Sequence, residues 1–199
     1  CFGSLLWAGM DWRDGIIHTF TVMGLGGFSS HDASFGFFDS VPIEAVTIFF
    51  MTLAGMNFAT HFLALRGRSL APYRWDPEVK WFLFVMYASV LGIALYLWGM
   101  HVYPDFWTSL RFSAFNVVSI ATTTGYANTD YNLWPIFAPL WMLFLSSFAT
   151  CSGSTGGGIK MVRAILLYKQ VFRELLRAMH PNAVHQTKLG NEVVENKIV

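Results

Sequence analysis

Long apolar runs alternate with short polar breaks along this chain, and the breaks recur. Asp14 to Met23 is a short amphipathic segment entered through the polar turn Asp11-Trp12-Arg13-Asp14. At about 1.5 Å per residue it is too short to cross roughly 30 Å of hydrocarbon. It predicts a half-helix that dips in and stops at Gly24-Leu25-Gly26-Gly27-Phe28, where glycines break the helix. A polar loop then runs from Ser29 to Asp39. Pro42 to Leu65 is nearly all apolar and predicts a spanning helix, with Pro42 in its first turn. Asn57 within that run predicts a hydrogen bond to a neighbouring helix or pore segment, and His61 a position near the cytoplasmic surface. After a charged loop, Trp81 to Met100 predicts a second span, with Trp81, Trp98 and Tyr103 as interfacial anchors. Phe106 to Ile120 is again short and ends in Thr122-Thr123-Thr124-Gly125-Tyr126. Leu133 to Ala149 begins a third apolar segment. It is interrupted by Cys151-Ser152-Gly153-Ser154-Thr155-Gly156-Gly157-Gly158, and helix resumes from Ile159 to about Met179. Thr187 to Val199 predicts a short hairpin around Gly190-Asn191.

Gly27-Phe28 and Gly125-Tyr126 occupy matching places, which predicts an internal repeat of roughly 100 residues. Its unit is membrane helix, re-entrant half-helix, glycine-marked turn, membrane helix. The units are residues 1–66, a cytoplasmic loop at 67–79, a second copy at 80–180 and a cytoplasmic linker at 181–199. The first copy lacks its opening helix, so a longer parent chain is expected.

Composition agrees with a membrane location. Of 199 residues, 54% are hydrophobic and 13% charged, against about 25% charged in soluble domains. The fold class expected is an all-α polytopic membrane protein. The competing explanation, the core of a large soluble helical protein, does not fit runs of this length. The net charge of +1 gives no sign of a nucleic-acid partner. Cys1 and Cys151 imply neither a disulfide framework nor a metal site. Arg66, Arg68, Arg74 and Lys80 lie in one loop, and Lys160, Arg163, Lys169, Arg173 and Arg177 follow the third span. The positive-inside rule makes both regions cytoplasmic, so both half-helices enter from outside. There Asp11, Asp14, Asp32, Asp39, Asp105 and Asp130 either raise the local cation concentration or simply solvate loops.

A dehydrated cation needs several oxygen ligands, and backbone carbonyls supply them without a titratable charge. Glycine permits successive carbonyls to point one way. A half-helix aimed at the bilayer centre adds the negative end of its dipole. A ring of about four such segments is expected around an ion. The competing explanation for Thr122 to Thr124 is a helix end whose hydroxyls satisfy its own carbonyls. Gly153 to Lys160 is similar to a phosphate-binding loop but fails twice: Ile159 separates Gly158 from Lys160, and Met161 stands where a hydroxyl is needed. An unwound segment within a membrane helix remains, either a gate or a passive kink. His18, His31 and His61 lack metal-ligand spacing. His31-Asp32 is an outer-mouth pair or a loop contact. No catalytic constellation points to an enzyme.

Three stretches then carry a resemblance: Gly26-Gly27-Phe28-Ser29-Ser30-His31-Asp32-Ala33-Ser34, Thr122-Thr123-Thr124-Gly125-Tyr126, and Cys151 through Gly158 continuing to Ile159-Lys160-Met161-Val162-Arg163. With His180-Pro181 and Lys188-Leu189-Gly190, the chain resembles the TrkH/KtrB/HKT superfamily of potassium transporters, in its bacterial TrkH branch. The resemblance implies repeats two and three of four around a pseudo-fourfold pore. It implies potassium uptake across the bacterial inner membrane, with K⁺ as the transported ion and no organic cofactor. Filter positions would be Gly24, Leu25, Gly26, Gly27, Thr122, Thr123, Thr124 and Gly125, with K⁺ at Gly27, Thr123, Thr124 and Gly125. Cys151, Ser152, Gly153, Ser154, Thr155, Gly156, Gly157 and Gly158 would form a gating loop. It further implies homodimers and a cytoplasmic nucleotide-binding regulatory ring like TrkA. Ala149-Thr150 and Met23-Gly24-Leu25 depart from the family pattern. The alternatives are a non-conducting membrane scaffold and a K⁺/Na⁺ coupled symporter.

Overall fold

The computed structural model describes residues 1–179 and a short strand pair beyond them. The helices are α1 (Phe2–Trp7), α2 (Trp12–Met23), α3 (Val41–Ala54), α4 (Phe58–Gly67), α5 (Ala71–Trp75), α6 (Pro77–Gly99), α7 (Phe106–Ala121), α8 (Phe137–Ser146) and α9 (Met161–Met179). Strand β1 (Lys188–Leu189) pairs antiparallel with β2 (Glu192–Val193), where a hairpin was expected; the rest of that segment, Gly190-Asn191 included, lies outside the described residues. His180-Pro181 also lies outside them.

Short side chains set where the helices start. Asp11, Asp76 and Asp105 cap α2, α6 and α7, accepting from the backbone N–H of Arg13, Glu78 and Thr108. At Asp105 the Thr108 amide and hydroxyl hold the carboxyl below the usual carboxylate range. α1 and α6 end alike. Gly9 and His101 take positive φ, and the next amides, Met10 and Val102, return to the Leu5 and Leu97 carbonyls. This is the Schellman closure of a helix end.

One predicted span is not continuous. Pro42 to Leu65 divides into α3 and α4, bent by 95°. Asn57 causes the restart: its side chain accepts from Ala59 N–H at 2.9 Å and caps α4. Gly55 closes α3 against α6, where a Cβ would lie 2.9 Å from the Phe82 ring. The freed backbone groups are claimed by a later segment. Gly55 C=O accepts from Cys151 N–H at 3.0 Å, and Phe58 N–H donates to Gly153 C=O at 3.1 Å. Broken helices persist in membranes only where such groups are satisfied again. His61 lies on α4, held by the Tyr73 hydroxyl at 2.7 Å and the Leu53 carbonyl at 2.9 Å.

Among the described residues, α6 is the single helix that is by itself long and apolar enough to cross a membrane; α3 and α4 pass the same test together. α6 buries Val79, Phe82, Met86, Val90, Ile93 and Leu97 and leaves Phe84, Leu91 and Leu95 exposed. Lipid tails are as apolar as leucine, so this division reflects close packing between helices rather than avoidance of water. The innermost helix is α7, against α3, α6 and α8, and it buries Ser109, Ser113, Phe115, Asn116, Val117, Val118, Ser119 and Ala121. The architecture is that of an α-helical polytopic membrane protein.

Candidate functional site

Two half-helices, α2 and α7, end in the same way. Leu25 N–H returns to Val22 C=O and Gly26 N–H to Thr21 C=O; Thr123 N–H returns to Ile120 C=O and Thr124 N–H to Ser119 C=O. Leu25 (φ +50°) and Thr123 (φ +61°) are left-handed, and so, two residues on, are Gly27 (+69°) and Gly125 (+91°). Each L-residue held there costs about 1–2 kcal/mol. The repeat inferred from glycine spacing is therefore a repeat of backbone conformation.

The two breaks touch. A Cβ added to Gly27 would overlap the Thr124 carbonyl oxygen. Only glycine's bare backbone allows that approach. Tyr126 is fully buried and joins the breaks: its hydroxyl donates to Phe28 C=O at 3.2 Å and hydrogen-bonds Thr21 Oγ1. Behind each break a helix side chain holds the outgoing strand. His18 Nδ1 donates to Asp14 C=O at 2.8 Å, which leaves Nε2 of a neutral ring to accept from Ser29 Oγ at 3.0 Å. Asn116 Nδ2 donates to Asn128 Oδ1 at 2.6 Å. Asp14 also takes Ser30 Oγ at 2.7 Å and His31 Nε2 at 3.0 Å. The partner of His31 is thus Asp14 rather than the adjacent Asp32.

The hydroxyls of Thr122 and Thr124 turn back towards α7. Thr122 Oγ1 donates to Val118 C=O at 2.7 Å and lies 2.7 Å from Thr124 Oγ1. The carbonyls behave differently. Among the described residues, no N–H or O–H donates to the carbonyl oxygens of Gly24, Leu25, Gly26, Gly27, Thr122, Thr123, Thr124 or Gly125. Two adjoining rows of backbone oxygens thus lack a protein donor, although Leu25, Thr122 and Thr124 are themselves buried.

Beneath the breaks lies the segment from Ser147 to Lys160, which links α8 to α9 and is not helical. α8 stops at Ser146 and α9 starts at Met161, so both helices are shorter than the apolar pattern predicts. The segment docks by hydrogen bonds. Gly157 N–H donates to Thr123 Oγ1 at 2.7 Å, Thr155 Oγ1 to Met23 C=O at 3.1 Å, and Thr150 Oγ1 to Gly157 C=O at 2.6 Å. Lys160 Nζ reaches back to Gly156 C=O. Gly153 (φ +68°) faces Asn57, and a Cβ there would sit 2.8 Å from Asn57 Oδ1. The loop therefore joins both breaks to the 95° bend.

All the predicted residues from 24 to 27, 122 to 125 and 151 to 158 come together in one region. Three supporting groups have no motif to mark them. Glu78 sits in the first turn of α6 and accepts from Ser152 N–H at 2.6 Å and Val162 N–H at 3.0 Å. Arg111 of α7 grips Glu44 of α3 through Nε and Nη2, each at 2.8 Å, and Asp39 at 2.7 Å. His18 and Asn116 hold the strands after the breaks. A buried carboxylate in an apolar run, Glu44, was the one available signal.

These features describe a polytopic helical membrane protein in which two short helices end in matching glycine-marked breaks, and known proteins give it a family. The profile of TrkH, a cation transport protein, matches residues 4–199. The Trk system potassium uptake protein TrkH of Escherichia coli K12 is 43% identical over 199 residues, covering 100% of this chain and 41% of the relative. Its counterpart in Halomonas elongata is 40% identical over the same coverage. The crystal structure of the potassium transporter TrkH from Vibrio parahaemolyticus superposes with a TM-score of 0.94 at 38% identity, over 99% of this chain and 42% of that one. The chain belongs to the TrkH family of cation transport proteins, which are not enzymes. It spans 41% of the length of the curated relatives named here.

Proposed function

We propose that this chain supplies two quarters of a potassium-selective filter and the loop that gates it, within a protein that takes up K⁺ across the bacterial inner membrane. The observation that carries this is the pair of adjoining, undonated carbonyl rows at residues 24–27 and 122–125. Oxygens of this kind inside a bilayer need a partner, and a partly dehydrated cation is one. K⁺ is coordinated by carbonyls at Gly27, Thr123, Thr124 and Gly125. The hydroxyls of Thr122 and Thr124 do not share in this, since they turn back towards α7, while that of Thr123 holds Gly157 N–H of the loop. The loop from Cys151 to Gly158 lies on the cytoplasmic side of these oxygens and closes the path. The K⁺ substrate is supported by relatives named as potassium uptake proteins. Residues 1–66 and 80–180 act as repeats two and three, joined by the cytoplasmic loop 67–79. The linker 181–199 leads to a fourth repeat. The relatives' name speaks of a Trk system, which supports a regulatory partner; the family resemblance adds homodimers and a cytoplasmic nucleotide-binding ring.

The test uses the complete protein in potassium-starved cells, with rubidium uptake as the readout. Gly125→Ser is expected to change K⁺/Na⁺ discrimination, and unchanged selectivity would remove the filter assignment. A deletion within 153–157 is expected to raise flux. Unaltered or abolished flux in a well-folded variant would count against the gate.

A further inference from the structure

Glu78 is a buried carboxylate, 7% exposed, without a role in the ion path described above. One of its oxygens, Oε1, accepts from two backbone amides ten residues apart, Ser152 N–H at 2.6 Å and Val162 N–H at 3.0 Å. These amides bracket the intramembrane loop: one follows Cys151 at its start, the other opens α9 at its end. A single charged atom therefore ties the two ends of the loop together. Hydrogen bonds to a charged acceptor are roughly twice as strong as neutral ones, and the first turn of α6 favours a negative charge.

The anchor is itself fixed. Asp76 Oδ1 accepts from Glu78 N–H at 2.9 Å, and Asp76 Oδ2 accepts from Thr60 Oγ1 of α4 at 2.8 Å. α4 holds the loop a second time through Phe58 N–H and Gly153 C=O. The start of α6, the arm after the 95° bend and the loop form one connected network on the side where the basic loops lie.

We propose that Glu78 is the positioning residue that keeps the intramembrane loop docked, and that releasing it opens the path under the two breaks. The flux part of this rests on the gate assignment made above; the docking part does not. Cys151 reports on docking, because it is buried and its amide is bonded to Gly55.

The experiment compares Glu78→Ala and Glu78→Gln in the complete protein. It reads N-ethylmaleimide modification of the Cys151 peptide by mass spectrometry, and rubidium uptake per inserted protein. Loss of both loop-end bonds is expected to speed Cys151 modification by roughly tenfold or more. Glu78→Gln keeps one acceptor oxygen without the charge and so gives a smaller rise, which keeps the test decisive if the alanine variant folds poorly. Rubidium uptake rises in the same order. In a background shortened within 153–157, Glu78→Ala adds no further flux. Unchanged Cys151 modification in both inserted variants overturns the anchor. Faster modification with unchanged uptake upholds the anchor and removes the gate.

Discussion

Arg111 and Glu44 give a prediction whose size follows from the structure. Arg111 lies on α7, the helix that ends at Thr122–Gly125, and Glu44 lies in the first turn of α3. The guanidinium meets the carboxylate through two bonds of 2.8 Å, and the Glu44 side chain is 4% exposed. Arg111→Met strands a buried charge. Breaking a buried pair from one side costs about 3–5 kcal/mol. About a quarter of the Arg111 side chain is exposed, so the lower end, about 3 kcal/mol, is expected here. Removing both charges is much milder, because apolar replacements of similar volume often equal a buried pair. Glu44→Leu alone leaves Arg111 a quarter exposed and still paired with Asp39, and is expected to cost about 1 kcal/mol. The double variant is expected to lose only about 1 kcal/mol in all, which makes the coupling about 3 kcal/mol. The assay is a double-mutant cycle on denaturation midpoints of the complete protein in mixed micelles. A coupling below about 0.5 kcal/mol would show that the two substitutions act independently and refute the argument.

Three further outcomes follow from single contacts. Gly27→Ala places a Cβ on the Thr124 carbonyl at a left-handed φ; K⁺/Na⁺ discrimination in rubidium uptake competition is expected to fall about tenfold. Gly92→Ala, with open space around its Cβ on α6, leaves it unchanged. Thr123→Val removes the acceptor of Gly157 N–H, weakening docking by about 1 kcal/mol and raising flux roughly fivefold; lower flux in inserted protein would contradict this. Tyr126→Phe deprives Phe28 C=O of its donor and is expected to lower stability by about 1–3 kcal/mol, measured by the same denaturation assay.

Much of this arrangement is legible in the sequence, for physical reasons. Gly27 and Gly125 stand out because few residues tolerate the backbone they need. The glycine-rich run from Gly153 stands out because a membrane helix rarely carries one. The bend at Gly55–Asn57 was not visible, because Ala54, Gly55 and Met56 read as a continuation of the apolar run, and a single asparagine looks like an interhelical contact. The groups it frees are satisfied by a partner about a hundred residues away, the Cys151–Gly153 backbone. Glu78 was hidden for the same reason. It looks like one more charge in a polar loop, and its burial depends on where the loop from residue 147 returns. The threonine hydroxyls were ambiguous between pore and helix end, and for Thr122 and Thr124 the helix end prevails.

The central claim is that the carbonyls of Gly27, Thr123, Thr124 and Gly125 hold the transported ion. Anomalous diffraction from crystals of the complete protein grown in rubidium tests it most directly. Rubidium peaks within coordination distance of those oxygens, weakened when sodium replaces rubidium, are the predicted result. A path between the breaks without a peak, or peaks confined to the outer carboxylates, would contradict it.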